Sequence, residues 1–136
     1  MGKTYVLDAN AVLDFVEDGA GAERMERLFK EAVHGGTPLL MSVVNWGEVF
    51  YHGWQQRGEE AARRTMAGLS RLPLEIVPVD LAQAMKAGEL KAVHKIPYVD
   101  CIAAALAVLQ RATLVTSDRD FEKLGRQFPV LWITRP

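Results

Sequence analysis

The sequence predicts an α/β fold, a mostly parallel central sheet of about five strands with helices on both faces. Three observations carry that prediction. Short apolar runs alternate with longer helix-like runs along the whole chain, which is the pattern of β–α units. The short runs are apolar throughout and bounded by Pro, Gly or polar residues, as expected of strands covered on both faces. No repeat, linker or low-complexity segment breaks the alternation, so residues 1–136 read as a single domain.

Residues 4–7 form the first expected strand and end at Asp8. Residues 22–34 read as a helix, with Met25, Leu28, Phe29, Ala32 and Val33 on one face at helical spacing and Gly35-Gly36 to end it. The second strand, 38–41, starts at Pro38, and helices at 43–57 and 59–71 follow. Along 43–57, Trp46, Phe50 and Trp54 make a stripe at i, i+4 and i+8, with Tyr51 beside it. A third strand is expected at 74–77. The helix at 80–94 opens on Asp80 and Gln83, which resemble a capping box. The run 98–111 is helical and nearly free of polar residues after Asp100. Strands at 113–116 and 130–133 flank a short helix near 119–126.

With 49% hydrophobic and 24% charged residues, the composition is that of an ordinary soluble globular protein. One cysteine, Cys101, excludes a disulfide framework and a thiolate-rich metal site. Asp8 and Asp14 interrupt the first apolar run, so no secretory leader is expected. The longest uncharged apolar stretch, 101–109, falls short of the ~20 residues a membrane helix needs. A cytoplasmic protein that does not enter a membrane is the expectation.

Four acids interrupt apolar surroundings. Asp8 follows Tyr5-Val6-Leu7, and Glu48 lies in the aromatic-rich helix. Asp100 opens the apolar run 101–109, and Asp118 follows Thr113-Leu114-Val115-Thr116. A carboxylate buried without a partner costs several kcal/mol or gives up its charge. Four such acids from four distant segments point to one shared divalent-cation site. In a parallel sheet, ligands bind beyond the carboxyl ends of the strands, where Asp8 and Asp118 should lie. Carboxylate oxygens are hard donors and suit Mg²⁺ or Mn²⁺ better than Zn²⁺. With those four neutralised, 16 Lys and Arg face 13 acids (17 less four), leaving a slightly basic surface compatible with a phosphate-bearing substrate.

The same residues resemble the four motifs of PIN-domain ribonucleases. They are Val6-Leu7-Asp8-Ala9-Asn10, Asn45-Trp46-Gly47-Glu48-Val49, Tyr98-Val99-Asp100-Cys101-Ile102-Ala103-Ala104 and Thr116-Ser117-Asp118-Arg119-Asp120-Phe121. Their order and spacing fit, and the resemblance runs from residue 4 to 133. A free-standing domain of this kind is similar to the toxins of VapBC toxin–antitoxin pairs. The resemblance implies an endoribonuclease dependent on Mg²⁺ or Mn²⁺, often dimeric, silenced by a small VapB-like antitoxin. It implies Asp8, Glu48, Asp100 and Asp118 as catalytic, metal-binding acids. Asn10 matches the small polar residue that helps fix the first carboxylate or a metal-bound water, and Thr116 the polar residue before the fourth acid. Asp120 assists as the weaker of the last pair.

Arg119, His94 and Lys95 are candidates for contact with RNA phosphates. Part of the aromatic helix 43–57 is a candidate contact for a second subunit or an antitoxin helix. Two alternatives remain open: a non-toxin or non-cleaving PIN domain acting in RNA binding or processing, and a receiver-like phosphoacceptor domain. The latter would need an acidic neighbour for Asp8, Asp80 as acceptor and a Lys after the last strand, and only Asp80 is present.

Overall fold

All five expected strands form, each within one residue of its expected bounds. The computed structural model describes residues 3–135. It runs β1 (Tyr5–Leu7), α1 (Ala9–Val16), α2 (Ala22–Gly35), β2 (Leu39–Ser42), α3 (Val43–Arg57) and α4 (Glu59–Leu69). It continues with β3 (Leu74–Val77), α5 (Leu81–His94), α6 (Tyr98–Leu109), β4 (Thr113–Thr116), a 3-10 helix (Arg119–Leu124) and β5 (Val130–Trp132). The strands pair in the order β3-β2-β1-β4-β5, and every pair is parallel. Helices fill the crossovers because parallel neighbours cannot be joined by a tight turn.

The α/β sheet expected from the alternation is therefore present, with β1 at its centre. Successive strand residues point to opposite faces, and the core divides accordingly. Leu7, Met41 and Val115 join α1 and α2 residues such as Val12, Met25 and Phe29 on one side. Val6, Leu40 and Leu114 join the buried run Cys101 to Ala107 of α6 on the other. Helix α6 could be apolar nearly all round because it lies between the sheet and α5.

Three local expectations change. α1 was not expected as a helix; it starts on Asp8, whose Oδ1 accepts from the Ala11 amide at 2.8 Å, a side-chain N-cap. Val33 lies 68% exposed rather than on the buried face of α2, because the helical stripe drifts past the core in its last turn. Asp80 accepts from the Gln83 amide at 2.9 Å, but Gln83 Nε2 turns to the Pro78 carbonyl, so only half a capping box forms.

The chain passes from β1 outward through β2 and β3, then returns to the other side of β1 for β4 and β5. The connections leaving β1 and β4 therefore diverge, opening a crevice at their carboxyl ends. This order also differs from the 2-1-3-4-5 order of receiver-like sheets. Among the described residues, no single helix is long and apolar enough to cross a membrane.

Candidate active site

The crevice between β1 and β4 is where the predicted acids gather. The Asp8 backbone amide still bonds to the Val115 carbonyl at 3.3 Å, so the two strand ends stay paired up to the acid. Asp8 itself is 2% exposed. Its Oδ1 caps α1, and its Oδ2 accepts from the Thr116 hydroxyl at 2.5 Å. The same hydroxyl oxygen accepts from the Asp118 amide at 2.9 Å. Thr116 thus ties the β1 acid to the turn that carries the β4 acid.

Asp118 is held in turn. Asn10, in the first turn of α1, donates from Nδ2 to Asp118 Oδ2 at 3.2 Å, and the Asp120 amide donates to Asp118 Oδ1 at 2.9 Å. Asp118 caps the 3-10 helix through that second bond. Asp100 arrives in the first turn of α6. One carboxylate oxygen each from Asp100, Asp118 and Asp120 lie within 4.8 Å of one another. Glu48, on α3, is near enough for its charge to act on Asp100.

The structure therefore gathers Asp100, Asp118 and Asp120, links Asp8 to Asp118 through Thr116, and sets Glu48 at Asp100's side. Asp120, expected to assist as the weaker of the last pair, shares a cluster with Asp118.

Among the described residues, no Lys or Arg forms an ion pair with these acids. Burial pushes the Asp8 carboxyl up to about 7, helped by the charges of Asp100 and Asp118 and opposed by the bonds from Thr116 and Ala11. Asp100 is pushed up to about 7 as well, by burial first and then by Asp118, Glu48 and Asp120. Burial also raises Glu48, while its bond from Asn45 pulls the other way. The ion pairs among the described residues use Glu17, Glu26, Glu59, Glu60 and Glu89, not these acids. Gathered carboxylates without a Lys or Arg partner are a fitting donor set for a hard cation.

The basic candidates lie differently. Arg119 stacks 4.2 Å above the Trp132 ring and donates to the Thr134 carbonyl at 2.8 Å; an RNA contact would require it to leave both. His94 Nδ1 lies 3.1 Å from the Lys123 carbonyl. Lys95, exposed and left-handed at φ 59°, ends α5 just before the α6 acid. Sequence reasoning gave Asn45 no role of its own. Its signal was a polar residue one turn before Glu48 on the buried side of α3, now seen bonded to Glu48 Oε1 at 2.7 Å.

The comparisons with known proteins agree with this geometry. No curated protein matches the chain. VapBC2 from Rickettsia felis, solved bound to a DNA fragment from its promoter, superposes with TM-score 0.78 at 17% identity, covering 94% of this chain and 97% of that one. DNA-bound VapBC from Salmonella typhimurium gives 0.77 at 17%, covering 97% and 99%. VapC20 of Mycobacterium tuberculosis, a Sarcin-Ricin loop cleaving toxin, gives 0.65 at 16%, covering 90% and 95%. At these identities the likeness is one of fold. The PIN domain family itself matches residues 5–127, which takes in all five acids of the crevice, and the chain belongs to the PIN domain family.

Proposed function

We propose that this single domain is a metal-dependent endoribonuclease, the toxin of a VapBC-type pair, acting in the cytoplasm and restrained by a VapB-like antitoxin. The observation that carries the reading is the group of carboxylates without cationic partners at the β1–β4 crevice, in a chain of the PIN domain family. Asp8, Glu48, Asp100 and Asp118, with Asp120 beside them, would hold Mg²⁺ or Mn²⁺. When bound, the cation supplies Lewis acidity, acidifying water and offsetting charge on the scissile phosphodiester.

The protein's own groups prepare that chemistry. Thr116 and the Ala11 amide hold both oxygens of Asp8. Asn10 and the Asp120 amide fix Asp118, so two donors are set before any ligand arrives, which lowers the ordering cost of binding. Lys95 and His94, at the α5–α6 corner, are the candidates for contact with RNA phosphates; Arg119 is engaged with Trp132 and Thr134 instead.

For partners, α3 offers the surface. Trp54 and Tyr51 are exposed, and Trp46, Gly47, Phe50, Arg63 and Met66 line a cavity of about 330 Å³. Aromatic anchors beside an arginine suit an antitoxin helix; a second copy of the chain, giving a homodimer, is the other occupant. The test is direct: purified protein with Mn²⁺ or Mg²⁺ should cut RNA, and EDTA or Asp8→Asn should abolish cutting. Cleavage that persists through either change contradicts the reading. Growth arrest on expression, relieved by Asp8→Asn, tests the toxin assignment.

A further inference from the structure

Asn45 is 1% exposed on the inner face of α3, one turn before Glu48. Its Nδ2 donates to Glu48 Oε1 at 2.7 Å and to the Val99 carbonyl at 3.1 Å. Both amide hydrogens are thereby used, while the buried Oδ1 has no protein partner. Turning the amide over would set Oδ1 against a carboxylate and a carbonyl, acceptor facing acceptor. The two acceptors therefore decide its orientation. Folded proteins rarely leave a buried acceptor unmatched, and here that is the consequence of placing both donors at Glu48 and Val99. Val99 immediately precedes Asp100. One amide thus joins the side chain of the α3 acid to the backbone that carries the α6 acid.

We propose that Asn45 is a positioning residue for cation binding, holding Glu48 toward the Asp100–Asp118–Asp120 group and acting only through Glu48. The inference rests on the reading of that group as a cation site. Without the Asn45 bond, the Glu48 side chain regains its rotamer freedom and must be ordered again when a cation binds. Partners that orient metal-binding side chains typically govern ~10–100-fold in metal affinity. An asparagine that merely fastened α3 to α6 would change stability and leave that affinity alone.

The experiment is a Mn²⁺ titration of RNA-free protein, read from the electron paramagnetic resonance signal of free Mn²⁺. It compares the wild type, Asn45→Ala, Glu48→Gln and the double variant. Asn45→Ala should weaken Mn²⁺ binding by about 10-fold or more. In the Glu48→Gln background the same change should matter by less than about twofold, because its route is gone. Asn45→Asp keeps the shape but turns an acceptor toward Glu48; it should also weaken binding, and it serves if the alanine variant does not fold. Wild-type affinity in a folded Asn45 variant, or an equal loss with and without Glu48, overturns the proposal. A wild type that binds no Mn²⁺ overturns it together with the nuclease reading. One that binds Mn²⁺ but leaves RNA intact defeats the nuclease reading alone, and the titration still decides the role of Asn45.

Discussion

Removing the charge of Asp8 should stabilise the metal-free protein at alkaline pH. Burial holds the Asp8 proton up to about pH 7 in the folded protein, whereas the unfolded chain releases it near 3.8, the ordinary aspartate value. Between those values the native state binds more protons than the unfolded state, so stability falls as pH rises through that window. At pH 8 the full difference is reached. Each unit is worth about 1.4 kcal/mol, so ionised Asp8 costs about 4 kcal/mol, and its 2% exposure leaves little solvent to screen that cost. In Asp8→Asn, Oδ1 can still accept from the Ala11 amide, but the Thr116 hydroxyl loses its acceptor, at about 1 kcal/mol. Urea unfolding in EDTA should therefore find Asp8→Asn more stable than wild type by about 3 kcal/mol at pH 8, and by less than about 1 kcal/mol at pH 5. Mg²⁺ or Mn²⁺ at ~1,000 times its dissociation constant should reverse the order, since it adds about 4.1 kcal/mol to the state that binds it. A variant less stable than wild type in EDTA at pH 8, or a gap indifferent to pH, would refute the reasoning.

Thr116→Val keeps the shape but removes the bridge between Asp8 and the Asp118 amide; it should weaken Mn²⁺ binding by ~10–100-fold, measured by calorimetric titration. Trp54→Ala should weaken antitoxin binding by ~2 kcal/mol, about 30-fold, if this tryptophan is a central anchor; unchanged antitoxin affinity and unchanged dimerisation would remove α3 as a partner surface. Lys95→Ala should lower RNA affinity and flatten its salt dependence. Arg119→Ala should instead lower stability by about 1 to 2 kcal/mol through its lost contacts to Trp132 and Thr134, read by thermal unfolding, with the salt slope unchanged.

The reading of α1 shows where sequence logic stopped. The run Ala9 to Val16 has no cap of its own other than Asp8, and a residue assigned to a metal site was not also read as a cap. The structure uses one oxygen for each task, Oδ1 for the helix and Oδ2 for Thr116. Arg119 is a second case. Beside Asp118 in sequence it is a cation next to a phosphate site, but Trp132 and Thr134 lie too far along the chain for periodicity to reveal.

Local patterns determined the elements themselves, since strand and helix follow from the apolar period and from Gly, Pro and cap residues within a few positions. They also marked the acids, because a charge inside an apolar run is conspicuous wherever the run folds. Strand order was beyond them: pairing β1 with β4 joins residues more than a hundred positions apart, and nothing in either strand names its neighbour. That pairing opens the crevice and ties Asp8 to Asp118 through Thr116, while the packing of α3 on α6 gives Asn45 its distant acceptor, the Val99 carbonyl. Full burial of Asp8 and partial burial of Asp100 and Asp118, with no ion-pair partner among the described residues, is what turns those acids from an oddity of sequence into a candidate cation site.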